Sequence, residues 1–442
     1  MTLRVAIVGS GPAGFYTAEA IAAREADVQI DLIEKLPTPF GLIRAGVAPD
    51  HQTTKNVTRR FEKTAMDSRI FFVGNVSLGE DIQLEDLQRL YDAVVIATGA
   101  QQDRDPRLPG QDLEGCFGSA TFVAWYNGHP EYQHLTPDFS GESAVVIGHG
   151  NVGLDVARVL MRSVAGRART DIARPAASAI DRGAVRQVHF CGRRGALEAK
   201  FTNVELRELD ALTEANLAVK SGDLPNLDTV SGDDKDSRLK RRNLETLWGF
   251  ARKPSDPAKP KTLTFRFCLQ PVAVLGDRKV EAVRFEHTRV VDGRSEGLGT
   301  FEEIPCSLAV MAVGYRSAPI QGLPFDEDGG IVPNEGGRVA EGLYVSGWIR
   351  RGPRGVISSN RKDGQEVAEQ LLADVRADKT PESAKAGHDG LIDLLGQRGR
   401  ISLSYADWKR IDDAEVRAAV DGAPRQKFVT RDALMDVLRV TD

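Results

Sequence analysis

The chain has 442 residues, a formal net charge of −5, 41% apolar residues and 27% charged ones. That length exceeds what a single hydrophobic core usually supports, so two domains are expected. No apolar run approaches the roughly 20 residues of a membrane span, and mild acidity gives no general attraction for nucleic acid or an anionic membrane.

An apolar strand begins at about the third residue, which leaves no room for a secretory signal and points to a cytoplasmic protein; a processed organellar protein would read the same way. The stretch VAIVGSGPAGFYTAEAIA (5–22) opens with the apolar run Val5 to Val8 and continues into an alanine-rich helical segment, Ala13 to Ala23. Between them Gly9, Gly11 and Gly14 stand in G-x-G-x-x-G register. In that register the first glycine makes the tight turn, the second admits a pyrophosphate to the backbone, and the third lets helix pack on strand. The pyrophosphate then rests on the unpaired N–H groups at the helix start. A second apolar run, VQIDLIE, ends in Glu34, about twenty residues past Gly14, where a carboxylate can accept from an adenosine ribose.

YDAVVIATGA (91–100) then reads as a strand ending in a glycine turn. The four cysteines, Cys116, Cys191, Cys268 and Cys306, lie far apart, which excludes a C-x-x-C redox pair and a closely spaced metal set and leaves free thiols. SAVVIGHGNVGLDVARVLM repeats the opening logic: a strand from Ala144 to Ile147, then Gly148, Gly150 and Gly153, then a helix carrying Asp155 and Arg158. The strand closing this unit, VRQVHFCG, leads to Arg193 and Arg194 instead of an acid. An acid would repel a 2′-phosphate, whereas guanidinium groups pair with it, so the second site is read as NADP-binding and the first as FAD-binding.

Further along, SRLKRRNLETLWGF (237–250) gathers Arg238, Lys240, Arg241 and Arg242 at the start of a helix between polar loops. Cations there oppose the helix dipole, so a docking face for an acidic protein is the functional reading and a solvated helix end the bland one. LAVMAVGYRS (308–317) is another strand with a glycine turn, and 342–372 reads as a buried strand, a loop of glycine and arginine, and a long helix.

Both glycine motifs, together with PFGLIRAGVAPDHQTTKNV (39–57), GRRGALEAKFTNVELREL (192–209), GWIRRGPRGVI (347–357) and SYADWKRID (404–412), make nearly the whole chain resemble the adrenodoxin-reductase-like ferredoxin–NADP reductases. The resemblance implies an α/β protein of two Rossmann-like domains, with a discontinuous FAD domain (1–105 and 330–442) around an NADP domain (106–329). It implies that NADPH reduces FAD, and that electrons pass singly to a small iron–sulfur ferredoxin serving a cytochrome P450 or an iron–sulfur pathway. Ala13, Glu34, Leu42 and Leu78 are expected around FAD, with Trp348 and the backbone of Gly355, Val356 and Ile357 beside the flavin. NADP is expected at His149, Gly150, Asn151, Val152, Arg193, Arg194 and Glu205, and its nicotinamide near Gly355. His51 and Asp155 are candidate orienting groups; their structural alternatives are that His51 holds its loop and that Asp155 pairs with Arg158. His149 stands where relatives often carry Gln or Asn, and Arg354 where they often carry Thr.

The lack of a cysteine pair argues against thioredoxin- or glutathione-reductase chemistry. Two other readings stay open at this stage: an NADPH-dependent flavin monooxygenase or oxidase, and an NADP-sensing flavoprotein without turnover.

Overall fold

A computed structural model describes residues 2–377, 384–420 and 422–439. The chain divides into two units: Met1–Gln102 with Tyr315–Ala419 and Arg425–Asp442, and Asp103–Gly314 with Val420–Pro424. The crossings fall at 102/103 and 314/315, against 105/106 and 329/330 expected from sequence. The second differs more because Ile320, Leu323 and Phe325, in a polar stretch without strand or helix periodicity, pack against the core of the first unit.

In the first unit a six-stranded sheet runs Arg338–Ala340, Leu343–Val345, Ala93–Ile96, Leu3–Val8, Val28–Ile33, Ile70–Val73. All neighbours are parallel except the pair at the Arg338–Ala340 edge. A parallel strand covered on both faces is apolar throughout. Side chains alternate accordingly: Val5 and Ile7 enter one core with Phe15, Phe61, Tyr344, Leu371 and Trp408, while Ala6 and Val8 enter the other with Leu87, Ile96, Val345 and Leu391. The helix Pro12–Ala22 packs on Ser359–Ala377, and contact is close because Gly364 lacks a side chain: a Cβ there would lie 2.7 Å from the Tyr16 carbonyl carbon.

The second unit repeats this plan. Its sheet runs Cys116–Gly118, Leu308–Met311, Ser143–Ile147, Gln187–Cys191, Lys261–Arg266, Ala215–Ala218, parallel throughout. In each sheet the strand before the glycine turn is central, flanked on one side by the next strand of its βαβ unit and on the other by a returning strand, Ala93–Ile96 or Leu308–Met311. An antiparallel sheet of Leu269–Leu275, Ala282–Val291 and Arg294–Pro305 completes the unit.

Candidate functional site: two dinucleotide cradles

The first glycine turn gives each glycine a separate physical reason. Gly9 has φ +109°, and a Cβ on it would stand 2.6 Å from the Ala97 carbonyl oxygen. A Cβ on Gly14 would stand 1.9 Å from the Gly9 carbonyl oxygen, so the helix closes on the strand only without a side chain. Gly11 is the open position, its nearest neighbour being the Gly41 Cα, 3.9 Å from a built Cβ. Gly11 also caps the helix Pro12–Ala22 with no side chain bonded to the helix end, which leaves first-turn N–H groups for an anion.

Glu34 follows the Val28–Ile33 strand, and its carboxylate is fixed from two sides. Oε2 accepts from the Ser10 amide at 3.1 Å and the Ser10 hydroxyl at 2.8 Å, and Oε1 accepts from the Leu36 amide at 3.2 Å. A carboxylate offers about four acceptor positions, so capacity for a ribose hydroxyl remains. Burial raises its pKa above the usual range, opposed by these hydrogen bonds. Ser10, the unremarked residue between two glycines in the sequence, is what orients the acid.

The 39–57 segment folds over this cradle. Phe40 donates its amide to the Ser10 carbonyl at 3.0 Å, and Gly41 presses on Gly11, where a Cβ would come within 3.0 Å of the Gly11 Cα. Half-buried Leu42 starts the short helix Leu42–Ala45 beside it. Leu78 is half-buried in the loop that begins where Val76 donates to the Glu34 carbonyl. His51 caps the Gln52–Lys55 turn and accepts the Lys55 amide through its own carbonyl.

The late segment also reaches the turn. Gly347, at φ +78°, lies against Ala13, whose Cβ would be 2.5 Å from a Cβ at 347. Trp348 donates its indole N–H to the Arg354 carbonyl at 3.1 Å. Gly355 has φ +82°, and the Val356 amide donates to the Ser359 hydroxyl at 3.2 Å. Arg354 and Gly355 line a concavity of about 850 Å³ shared with Arg350, Arg351, Ser359 and Asp363. Val356 beside it is 62% exposed, a large apolar side chain left to meet something outside the unit's own core.

The second cradle matches the first position by position. Gly148 has φ +123° with a built Cβ 2.2 Å from the Ala312 carbonyl oxygen, Gly153 would strike the Gly148 carbonyl oxygen at 2.4 Å, and Gly150 has nothing within 4 Å. Gly150 caps the helix Asn151–Met161 without a side-chain bond to the helix end. Asn151 and Val152 open that helix, and Asn151 Oδ1 accepts the Thr202 amide at 2.8 Å, drawing the 192–209 segment onto the turn. Arg193 is exposed and Arg194 half-buried. Among the described residues neither meets a carboxylate; Arg194 donates to the Gly293 carbonyl at 3.3 Å.

The His149 side chain is not presented at the open turn: Nε2 meets the Phe190 carbonyl at 2.9 Å, and the ring lies among Phe190, Phe201, Phe265 and Phe267. Asp155 pairs with buried Arg158 at 2.8 Å, as its structural alternative required, and Glu205 and Glu208 approach the same guanidinium at 3.8 and 3.5 Å.

The basic helix spans Lys235–Arg252, so the four cations lie one to two turns inside it. Asp234 caps it, Asp236 pairs with Lys240 at 2.7 Å, and Arg241 donates to the carbonyls of Val230 and Gly232. Arg238 and Arg242 are the exposed cations of the four. All four cysteines are free, and burial pushes the Cys116 and Cys306 thiols up to about 11 and about 12.

A profile of the pyridine nucleotide-disulphide oxidoreductase family matches residues 3–178. Over 98% of its length the chain is 40% identical to a mitochondrial NADPH:adrenodoxin oxidoreductase from Arabidopsis thaliana, covering 95% of that protein. It is also 40% identical to the NADPH-ferredoxin reductase FprA of Mycobacterium tuberculosis strain H37Rv, across 99% of this chain and 98% of that one. The chain belongs to the adrenodoxin-reductase-like ferredoxin–NADP reductase family. A solved member, FprA of M. tuberculosis in complex with NADPH, superposes with a TM-score of 0.94 at 38% identity, covering 99% of both chains.

Proposed function

We propose that this chain is an FAD-dependent ferredoxin–NADP(+) oxidoreductase that moves electrons from NADPH to a small, acidic iron–sulfur ferredoxin docking transiently. The observation that carries this reading is the pairing of two open glycine turns without a side-chain cap in one chain, one followed by Glu34 and the other by Arg193 and Arg194, which among the described residues form no ion pair with a carboxylate. FAD, when bound, supplies the conversion of a hydride into single electrons, and the protein supplies position and electrostatics. Glu34, held by Ser10, accepts from the adenosine ribose, and the amides at the start of Pro12–Ala22 take the pyrophosphate. Arg193 and Arg194 donate to the 2′-phosphate. Trp348 and the Gly355–Ile357 backbone border the flavin; Val356 gives it an apolar contact.

His51 and Asp155 act as orienting groups in this reading, Asp155 through Arg158. The exposed Arg238 and Arg242 form the centre of the ferredoxin contact. Among the described residues no helix is long and apolar enough to cross a membrane. Four free cysteines fit a reducing compartment such as the cytoplasm.

The test uses the purified holoprotein. A flavin spectrum that bleaches on anaerobic NADPH, followed by cytochrome c reduction only when ferredoxin is added, is expected. A protein with no flavin absorbance, and none gained on incubation with FAD, ends the reading. Rapid bleaching with oxygen uptake and no ferredoxin-dependent turnover replaces it with an oxidase.

A further inference from the structure

His149 occupies an unusual place for a residue of a phosphate-binding turn. It sits between the glycines Gly148 and Gly150, yet its ring crosses to the neighbouring strand, where Nε2 lies 2.9 Å from the Phe190 carbonyl. A carbonyl only accepts, so Nε2 carries the proton. Burial pulls the ring's pKa down to about 4, which keeps it neutral and preserves that tautomer near neutral pH. On its other side Nδ1 faces Gly192, where a Cβ would stand 2.3 Å away. Gly192 directly precedes Arg193 and Arg194. Gly148 donates its amide to the Cys191 carbonyl at 2.8 Å, which ties the turn to the same strand end by its backbone as well, and the His149 carbonyl accepts from the Lys200 amide at 2.7 Å, in the segment that follows.

We propose that His149 is a positioning residue for coenzyme selectivity: its ring is the spacer that sets the distance between the glycine turn and the Gly192–Arg194 strand end, so that one NADP molecule reaches both. This rests on the reading of the second cradle as an NADP site. A pyrophosphate needs only the turn, and NAD therefore depends little on the spacing. NADP must satisfy the turn and the arginines together, and a group held at two points is sensitive to small misplacements of either. Gly192 is required for the same reason, since any side chain there displaces the ring.

The test is equilibrium binding of NADP+ and NAD+ to the holoenzyme by calorimetry, in variants that separate packing from spacing. His149→Gln keeps an N–H donor for the Phe190 carbonyl and retains most of the selectivity. His149→Leu fills the aromatic pocket but cannot donate to the Phe190 carbonyl, so the ring's tether is lost, and should weaken NADP+ about tenfold, with NAD+ changed less than twofold. Gly192→Ala weakens NADP+ in the same selective way, and the loss shrinks when it is combined with His149→Ala, since the clash has been removed. Melting temperatures confirm that each variant is folded, and His149→Gln with His149→Leu carries the test if His149→Ala is not. A wild type that binds the two coenzymes equally overturns the NADP reading and this inference with it. A wild type that prefers NADP+, with that preference intact in His149→Leu, overturns the inference alone. So do strictly additive losses in Gly192→Ala and His149→Ala.

Discussion

The hydroxyls of Thr17 and Ser346 lie 2.9 Å apart in a fully buried setting, joining positions 329 residues apart in sequence. Thr17 also donates to the Ala13 carbonyl at 2.8 Å, so its proton is committed there and Ser346 is the donor across the pair. Thr17→Val leaves the Ser346 hydroxyl buried without an acceptor, which costs about 1–3 kcal/mol. Ser346→Ala removes the donor and leaves only an acceptor lone pair unused, so it should cost less. Denaturant titration of both variants and of the double variant checks this, with the double variant expected to lose less than the sum.

Arg193 and Arg194 follow the strand Gln187–Cys191, and among the described residues neither forms an ion pair with a carboxylate. A hydrogen bond to a charged group is worth roughly 1.5–3 kcal/mol, so Arg193→Ala and Arg194→Ala each weaken NADPH by about tenfold or more and leave NADH nearly unchanged. Steady-state KM values for the two coenzymes decide it. Equal losses for both would assign the arginines to structure.

On the helix Lys235–Arg252, Lys240 and Arg241 already have acidic neighbours in Asp236 and Asp233, whereas Arg238 and Arg242 are exposed. Replacing Arg238 and Arg242 with Gln should therefore slow ferredoxin-coupled cytochrome c reduction severalfold at low salt, while Lys240→Gln has a smaller effect. NADPH-to-ferricyanide activity, which needs no docking, stays near wild type. The difference closes as the Debye length falls from ~10 Å at 0.1 M salt to ~3 Å at 1 M.

The helix Gly387–Gln397 is pinned to the sheet through His388, whose Nδ1 bonds Asp31 and whose ring stacks on Phe71 at 4.3 Å. Tyr91 donates to the other Asp31 oxygen at 2.9 Å. The hydrogen bond to Asp31 raises the His388 pKa above its ordinary 6.5. Its stabilising contribution is thus full below pH 6.5 and is lost as pH rises through the raised value. Burial also raises Asp31 above its ordinary value, which acts in the same sense at lower pH. Melting curves from pH 6 to 9 should show the wild type losing more stability than His388→Gln. Parallel curves would mean the pair contributes no pH dependence.

Both glycine turns, and the placing of Glu34 and of Arg193 and Arg194 just past a strand, are legible because each rests on a local rule of spacing. Gly9, Gly14, Gly148 and Gly153 meet carbonyl oxygens wherever this strand–turn–helix forms. The sequence could not show that Ser10 orients Glu34, or that Phe40 and Gly41 close over Gly11, because those contacts depend on how a later loop returns. The burial of the His149 ring is hidden for a related reason: its place in the motif suggests a ligand, while its surroundings come from Phe201 and Phe265, far along the chain. The basic helix shows the opposite limit. Its charges were plain, but Asp233, Asp234 and Asp236 cancel part of them only once the helix start is known.

The strand Leu343–Val345 pairs with Ala93–Ile96, Val94 lying opposite Leu343, and the helix Ser359–Ala377 covers Pro12–Ala22. A ribosome emitting this chain therefore releases the opening βαβ segment long before its covering layer exists. The Tyr16–Thr17 face of Pro12–Ala22, against which Gly364 packs, must wait, uncovered, while the entire middle unit emerges and can complete its own sheet from contiguous sequence. Synthesis order and completion order are thus reversed: the unit begun first is finished last. Chains truncated before Leu343 should expose apolar surface in the amino-terminal segment and call on chaperones, even where the middle unit is already closed.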